Sequence, residues 1–361
     1  MRTKIMIAGV ATLIAAVALL GGCRKQSARP STGSKPSAAT VTLTGAGATF
    51  PYPIYSKWFD EYGKSTGTRI NYQSIGSGAG IQQLKAKTVD FGASDAPLSD
   101  EEMKAMPAPV IHIPTVAGAV ALTYNVPGIG KGLKLTPGVI SGVFLGKIKN
   151  WDDPAIIKAN PGMRLPKQPV FVAHRSDGSG TSFILTNYLA AVSPEWKSSV
   201  GSGKSVKWPA GIGGKGNEGV AGIIKQTPGA IGYVELAYAV QNKLPYAMVQ
   251  NQAGQFVEPT IASTTAAASG AAASMKKDIR TLVVDSPVKD AYPIAGFTYI
   301  LIYKNQSDPA KAKALLDFLK WANHDGQKMA ASLLYAPLPP AVVSINDDAL
   351  KSATAKGKTV L

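Results

Sequence analysis
Apolar and polar positions along this chain repeat one order: a short apolar run, a loop of glycine and hydroxyl residues, then apolar residues at helical spacing. The central copy runs from the apolar stretch 170–173 through His174-Arg175-Ser176-Asp177-Gly178-Ser179-Gly180-Thr181-Ser182 into 183–190, and it predicts strand, loop and helix start. An earlier copy opens with alternating Val41 and Leu43. It turns through Gly45-Ala46-Gly47-Ala48-Thr49-Phe50 and enters a helix whose first turn holds Pro51 and Pro53, continuing through Tyr55, Trp58, Phe59 and Tyr62. A third has 69–72 as strand, 74–80 with Ser77 as loop and 81–86 as helix. The short run at 89–94 then delivers Asp95 to a strand end, where ligands of open α/β sheets sit.

The rest of the pattern is plainer. Residues 114–124 read as one or two buried strands and a crossover between domains, 136–145 and 155–158 as short helices around a turn at 150–154, and 211–219 as another glycine-rich stretch. Asn217 is expected to cap a helix over 218–226. A strand at 232–235 leads into a helix carrying Tyr238, Ile261–Met275 reads as an alanine-rich helix, 291–304 as a long apolar strand and 311–331 as a C-terminal helical region.

The chemistry of these loops is that of anion capture. At a helix start the first backbone N–H groups have no intrahelical partner and the dipole end is positive, while Gly178 and Gly180 allow a ligand close to the backbone. Arg175 adds a permanent planar charge, and Ser179 and Thr181 add hydroxyl donors.

Composition narrows the alternatives. A length of 361 residues and 45% apolar content suit two globular domains. The formal charge is +16, but the first forty residues hold six Lys/Arg and no Asp or Glu, leaving +10 on the remainder. No basic run interleaved with aromatics and no nucleic-acid motif occurs, so nucleic acid is not an expected partner. The glycine spacings fit neither a dinucleotide fingerprint nor a P-loop, and Asp177 stands where a nucleophile elbow needs glycine before Ser179. His112, His174 and His324 are scattered and Cys23 is the single cysteine, so no metal site and no disulfide framework are expected.

Arg2 and Lys4 precede an uncharged apolar stretch over 5–20, then Gly21-Gly22-Cys23: a signal peptide over 1–22. Leu20-Gly21-Gly22-Cys23 also resembles the bacterial lipobox, which makes Cys23 the expected lipidated first residue of the mature chain. The Ser/Thr/Pro/Ala-rich stretch after it, through residue 41, reads as a flexible tether.

Four segments carry a wider resemblance: Thr44-Gly45-Ala46-Gly47-Ala48-Thr49-Phe50-Pro51, Val89-Asp90-Phe91-Gly92-Ala93-Ser94-Asp95-Ala96-Pro97, Asp177-Gly178-Ser179-Gly180-Thr181-Ser182-Phe183 and Gly213-Gly214-Lys215-Gly216-Asn217. Over residues 42–338 the chain resembles the phosphate-binding proteins of bacterial Pst-type ABC transporters. The resemblance implies an α/β, two-lobed periplasmic-binding-protein type II fold with two crossover strands and a ligand cleft between the lobes. Lobe I would take 42–118 and 293–361, and lobe II 119–292. The implied phosphate ligands are Thr49, Phe50 through its N–H, Ser77, Asp95, Arg175, Ser179, Gly180 and Thr181, with Asp177 orienting Arg175. Asp95 would accept the proton that phosphate carries and sulfate lacks. The resemblance further implies inorganic phosphate and a Pst-type ABC permease as partners, a monomer without cofactor, and a place in the cell envelope, in the periplasm or on the outer face of the membrane, anchored through lipid on Cys23. Two departures are His174, where another basic or apolar residue is expected, and the lipobox, which freely soluble periplasmic members lack. The rival reading is a phosphatase on the same anion-binding fold, for which the sequence supplies neither nucleophile nor metal ligands.

Overall fold
The computed structural model describes residues 41–361; the signal segment, Cys23 and the tether through residue 40 lie outside the described residues. Eight strands form one sheet: β1 Thr42–Gly47, β2 Arg69–Ser74, β3 Phe91–Ser94, β4 Val110–Asn125, β5 Phe171–Arg175, β6 Ile212–Gly214, β7 Ala230–Glu235 and β8 Ala295–Tyr303. Their spatial order is β2-β1-β3-β8-β4-β7-β5-β6. The strands within β2-β1-β3 are parallel, as are those within β7-β5-β6, and the antiparallel pair β8 and β4 joins these two wings.

The stretch expected as one or two strands is the single strand β4. Its side chains are buried along almost its whole length, as a strand covered on both faces requires. It pairs with β8 up to Ala119 and with β7 from Val120 onward. The wings run in opposite senses along it. Ser94, the last residue of β3, lies across β8 from the level of Pro114, whereas Glu235, the last of β7, lies opposite Val120. The C-terminal ends of both parallel wings therefore meet at the middle of β4.

Pro114 sits at that middle without an N–H to give to the ladder, and the pairing register with β8 shifts there, between Thr298 and Tyr299. Thr115 is the extra residue, and its hydroxyl donates to the Thr298 carbonyl at 3.2 Å. On the same strand Gly118 leaves room for Phe50, since a Cβ there would lie 2.5 Å from the ring carbon Cζ.

Three tryptophans are fully buried, with each indole N–H donating to a carbonyl: Trp58 to Gly326, Trp151 to Gly229 and Trp196 to Gly201. The helix Ile261–Met275 buries Ala267, Ala268, Ala271 and Met275 in one cluster with Ala46 and Ile81 of the first wing and with Phe297, Tyr299 and Leu301 of β8. Several helices begin earlier than their periodicity suggests, at Ser77 and Gly180, because glycine and serine first turns carry no apolar signal. The expected C-terminal helical region is the helix Pro309–Asn323 followed by two short 3-10 turns. A further helix, Pro340–Lys351, closes the chain's main body.

Two helix glycines separate packing from propensity. A Cβ on Gly80, in the helix Ser77–Lys85, would overlap the backbone of Ala46 and Gly47, while one on Gly222, in the helix Gly216–Gln226, meets nothing within contact range. Gly80→Ala is expected to destabilise by about 1–3 kcal/mol, and Gly222→Ala to stabilise by about 0.4–1 kcal/mol. Denaturant unfolding in phosphate-free buffer distinguishes them; equal shifts would contradict this packing.

Candidate anion-binding site
The loops that follow β1, β2, β3, β5, β6 and β7 converge where the wings meet. From β1 come Thr49 and Phe50, from β2 Ser77, from β3 Asp95, from β5 Arg175, Asp177, Ser179, Gly180 and Thr181, and from β6 Asn217. Thr49, Phe50, Ser77, Asp95, Arg175, Ser179 and Thr181 are each less than 5% exposed.

Arg175 is held on all sides. Its Nε–H donates to Asp177 Oδ1 at 2.8 Å, Nη2 donates to Asp177 Oδ2, and Nη1 donates to Thr181 Oγ1 at 3.2 Å. A guanidinium has five N–H groups, so these bonds leave one on each terminal nitrogen. Burial raises the Asp177 pKa, but the Arg175 hydrogen bonds and charge, with the Gly216 N–H, outweigh it and hold the carboxyl below its ordinary value. Gly76 has a φ of +92°, and any side chain there would collide with Asp177 Oδ2.

The hydroxyls are ordered by backbone. Ser179 Oγ caps its helix by accepting from Ser182 N at 3.0 Å. Ser77 Oγ accepts from Gly180 N at 3.0 Å and from Asp95 N at 3.3 Å, tying the two wings together. Gly78 N donates to the Gly178 carbonyl at 2.8 Å, and Lys204 Nζ donates across the same seam to Glu102 at 2.7 Å. No residue with a Cβ fits at position 180, because that atom would lie 2.5 Å from Asp95 Oδ2 and 2.6 Å from Ser77 Oγ.

Asp95 has no cationic partner in contact. Thr298 Oγ1 donates to its Oδ1 at 2.7 Å. Burial pushes its pKa up to about 7, against the lowering effect of the Thr298 hydrogen bond and the Arg175 charge. A second buried acid, Glu235, caps the helix Leu236–Gln241 by accepting from Ala237 N at 2.8 Å, and its Oε2 lies 3.1 Å from Tyr335 OH. Burial raises its pKa well above the usual value, and Oε1 has no protein partner.

Several members of this cluster had no local signal in the sequence. Asn217 does not cap its helix; Lys215 occupies that place, and the Asn217 side chain turns inward to Thr49 and Thr181. The inward hydrogen bonds compete with capping and win because they fill buried acceptors. Thr298 is hidden within the apolar run of β8. Tyr238 and Tyr335 donate to the carbonyls of Thr49 and Phe50, each at 2.6 Å, and are recognisable only once the fold brings them there. His174 has a structural place: its ring stacks on Trp208 at 5.0 Å, Trp208 stacks on Tyr233 at 5.6 Å, and Tyr233 OH receives Arg175 N at 3.0 Å.

Known proteins share this arrangement of chain. The PBP superfamily domain matches residues 33–325. The phosphate-binding protein PstS of Xylella fastidiosa (strain 9a5c) is 47% identical over 353 residues, which cover 94% of this chain and 96% of the relative. The chain belongs to the PstS family of phosphate-binding proteins. PstS of Pasteurella multocida is 49% identical over 303 residues, covering 84% of this chain and 88% of the relative. PstS of Methanocaldococcus jannaschii is 38% identical, covering 96% of this chain and 92% of the relative. The periplasmic phosphate-binding protein PfluDING, solved with phosphate, aligns with a TM-score of 0.67 at 22% identity, covering 87% of this chain and 99% of its own. That likeness establishes the fold, so the α/β periplasmic-binding fold expected from the sequence is the fold of this PstS-family chain.

The buried state of Asp95 makes stability depend on pH. Its folded pKa, about 7, lies above the ordinary 3.8, so its contribution is fully present below pH 3.8 and is lost as pH rises to 7. In phosphate-free buffer Asp95→Asn removes this dependence. The variant should gain on the parent progressively over that window, by roughly 4 kcal/mol at most, since each tenfold change in proton affinity is worth about 1.4 kcal/mol. A stability difference that stays flat with pH would show that Asp95 is not dehydrated.

Proposed function
We propose that this protein captures inorganic phosphate outside the cytoplasmic membrane and delivers it to an ABC permease of the Pst type, without chemistry of its own. The observation that carries this reading is the meeting of one Arg that has N–H groups to spare with several hydroxyls and the carboxylate of Asp95, which no cation touches. Phosphate at neutral pH offers three oxygens to donors and one O–H to an acceptor, and this set of groups is complementary to it. Thr49, Phe50, Ser77, Asp95, Arg175, Ser179, Gly180 and Thr181 are the proposed ligands, with Asp177 orienting Arg175. Sulfate has no proton for Asp95, and two like charges in contact cost several kcal/mol. The switch of β4 pairing at Ala119 and Val120 suits lobes of 42–118 with 293–361 and of 119–292, hinged where the wings join. The helix Ile261–Met275 would then ride on the first lobe's sheet.

Titration with phosphate and with sulfate tests the reading, and strong sulfate binding would overturn it. Arg175→Ala should weaken phosphate by about 2–5 kcal/mol or more, because it leaves a buried anion under-compensated, whereas the exposed Arg164→Ala should change little. Comparable losses for the two would remove Arg175 from the site.

We also propose that lipid on Cys23 anchors the protein to the membrane as a monomer, with the tether leaving the cleft free. No helix among the described residues is long and apolar enough to cross a membrane. Cys23→Ala should move the protein from the membrane to the soluble fraction with phosphate affinity unchanged. A variant that stays on membranes at high salt, which screens Arg24 and Lys25, would instead implicate the uncleaved apolar segment.

A further inference from the structure
The parallel strands of the first wing point their C-terminal ends at the anion cluster, so their N-terminal ends lie on the opposite face of the body. Basic side chains collect there. Arg69 opens β2, Lys85 ends the helix Ser77–Lys85, and Lys87 lies in the turn into β3 with its ammonium 5.8 Å from the ring centre of Tyr303, the last residue of β8. Lys304 follows β8, and its carbonyl accepts from Thr354 N at 2.8 Å. That bond brings in the short hairpin strands Thr354–Ala355 and Lys358–Thr359, with Lys356 at their turn. All six basic residues are exposed, and none has a carboxylate within ion-pair distance among the described residues.

Acids of this end are already engaged. Asp90 is held by Lys311 at 2.9 Å, Asp60 by Lys64 at 2.6 Å and Asp348 by Lys351 at 3.5 Å, while Asp308 caps the helix Pro309–Asn323 through Ala310 N. Gathered like charges repel one another, and nothing in the packing of the wing uses these six. The chain also enters the body on this face: the Val41 carbonyl accepts from Arg69 N at 3.1 Å, and residues 24–40 ahead of it carry Arg24, Lys25, Arg29 and Lys35 with no acid.

We propose that this face docks on an anionic phospholipid surface and holds the body with its cleft turned away from the bilayer. Each Lys or Arg near such a surface strengthens binding about fivefold, within about 10 Å of it at moderate salt. Under the lipid reading above, a tether that spans roughly 25 Å ends on a body roughly 50 Å across, so this face is nearer the membrane than the cleft. The inference rests on that reading only for the tether's help, since the charges act without it. Attraction of this kind is reversible, which leaves the body free to turn its cleft towards a permease in the same membrane.

The test removes the lipid with Cys23→Ala and measures co-sedimentation of the soluble protein with vesicles at low salt. It should bind mixed phosphatidylcholine–phosphatidylglycerol vesicles and not pure phosphatidylcholine. Adding Lys85→Gln, Lys304→Gln and Lys358→Gln together should weaken that binding roughly tenfold or more. Lys158→Gln, Lys167→Gln and Lys197→Gln remove the same charge from exposed positions between β4 and β6 in the chain, and should change it about twofold or threefold at most. Both sets should keep the parent's phosphate affinity. Equal losses in the two sets would assign the binding to net charge and overturn the proposal, as would no binding to the mixed vesicles or a preference for duplex DNA over them at the same salt. Where an uncleaved apolar segment holds the chain on every vesicle, lysine acetylation replaces sedimentation. Lys85, Lys304 and Lys358 should then react more slowly on mixed than on pure vesicles while Lys158, Lys167 and Lys197 do not, and uniform rates overturn the proposal. Retention of Cys23→Ala on membranes at high salt removes the lipid reading instead, because salt screens this face.

Discussion
Burying a guanidinium is the constraint on which the cluster depends. The Arg175 side chain is only 1% exposed, and a charge taken that far out of water is tolerable only with a partner and with its hydrogen bonds made. Asp177 meets the need with two parallel bonds from its position two residues on, so the pair is assembled within one loop. The consequences spread outward. Asp177 must itself be satisfied, which draws in the Gly216 N–H and forces Gly76 to lack a side chain. The loops after β2, β5 and β6 are thereby packed together by the requirements of one charge.

The second organising demand is that polar groups at the seam between the wings stay paired. A lone serine or threonine hydroxyl facing a dry interface would cost about 1–3 kcal/mol. Here each is filled from the opposite wing or from a loop beside it: Ser77 by Gly180, Thr49 by Asn217, the Thr49 carbonyl by Tyr238 and the Phe50 carbonyl by Tyr335. Hydrogen bonds thus tie the loops of the two wings together at this seam, beside the apolar core that both wings share.

What the sequence conveys, and what it hides, follows from how local each signal is. Strand, glycine loop and helix recur with their hydroxyls and Arg175 inside a few residues, so the loops, the parallel strands and the anion chemistry are readable from pattern alone. Asn217 misleads because the residue type that caps helices also bonds buried hydroxyls, and only the fold decides which donor finds which acceptor. Thr298 leaves no trace, being one polar residue in an apolar strand 203 positions from Asp95. The bulge that aims it comes from Pro114, whose position inside an apolar stretch carries no statement about its partner strand. The helix Pro340–Lys351 could have been read from its paired prolines, since proline at a first helical position is a recognised start.

Charge alone does not make this place attractive to an anion. Arg175 is neutralised by Asp177, burial pushes the Glu235 pKa well above its ordinary value, and Asp95, when ionised, leaves the cluster with a net negative charge. Six of the chain's Lys/Arg lie in the first forty residues, outside the segment that builds the cluster. The attraction therefore has to come from oriented dipoles: the N–H groups at the starts of the helices Tyr52–Thr66, Ser77–Lys85 and Gly180–Val192, and the hydroxyls of Thr49, Ser77 and Thr181, whose lone pairs are already filled. Such donors are fixed in direction where a mobile lysine is not. They respond to the number and placement of a ligand's protons, so a site with little positive charge can distinguish anions that a strongly basic one would bind alike.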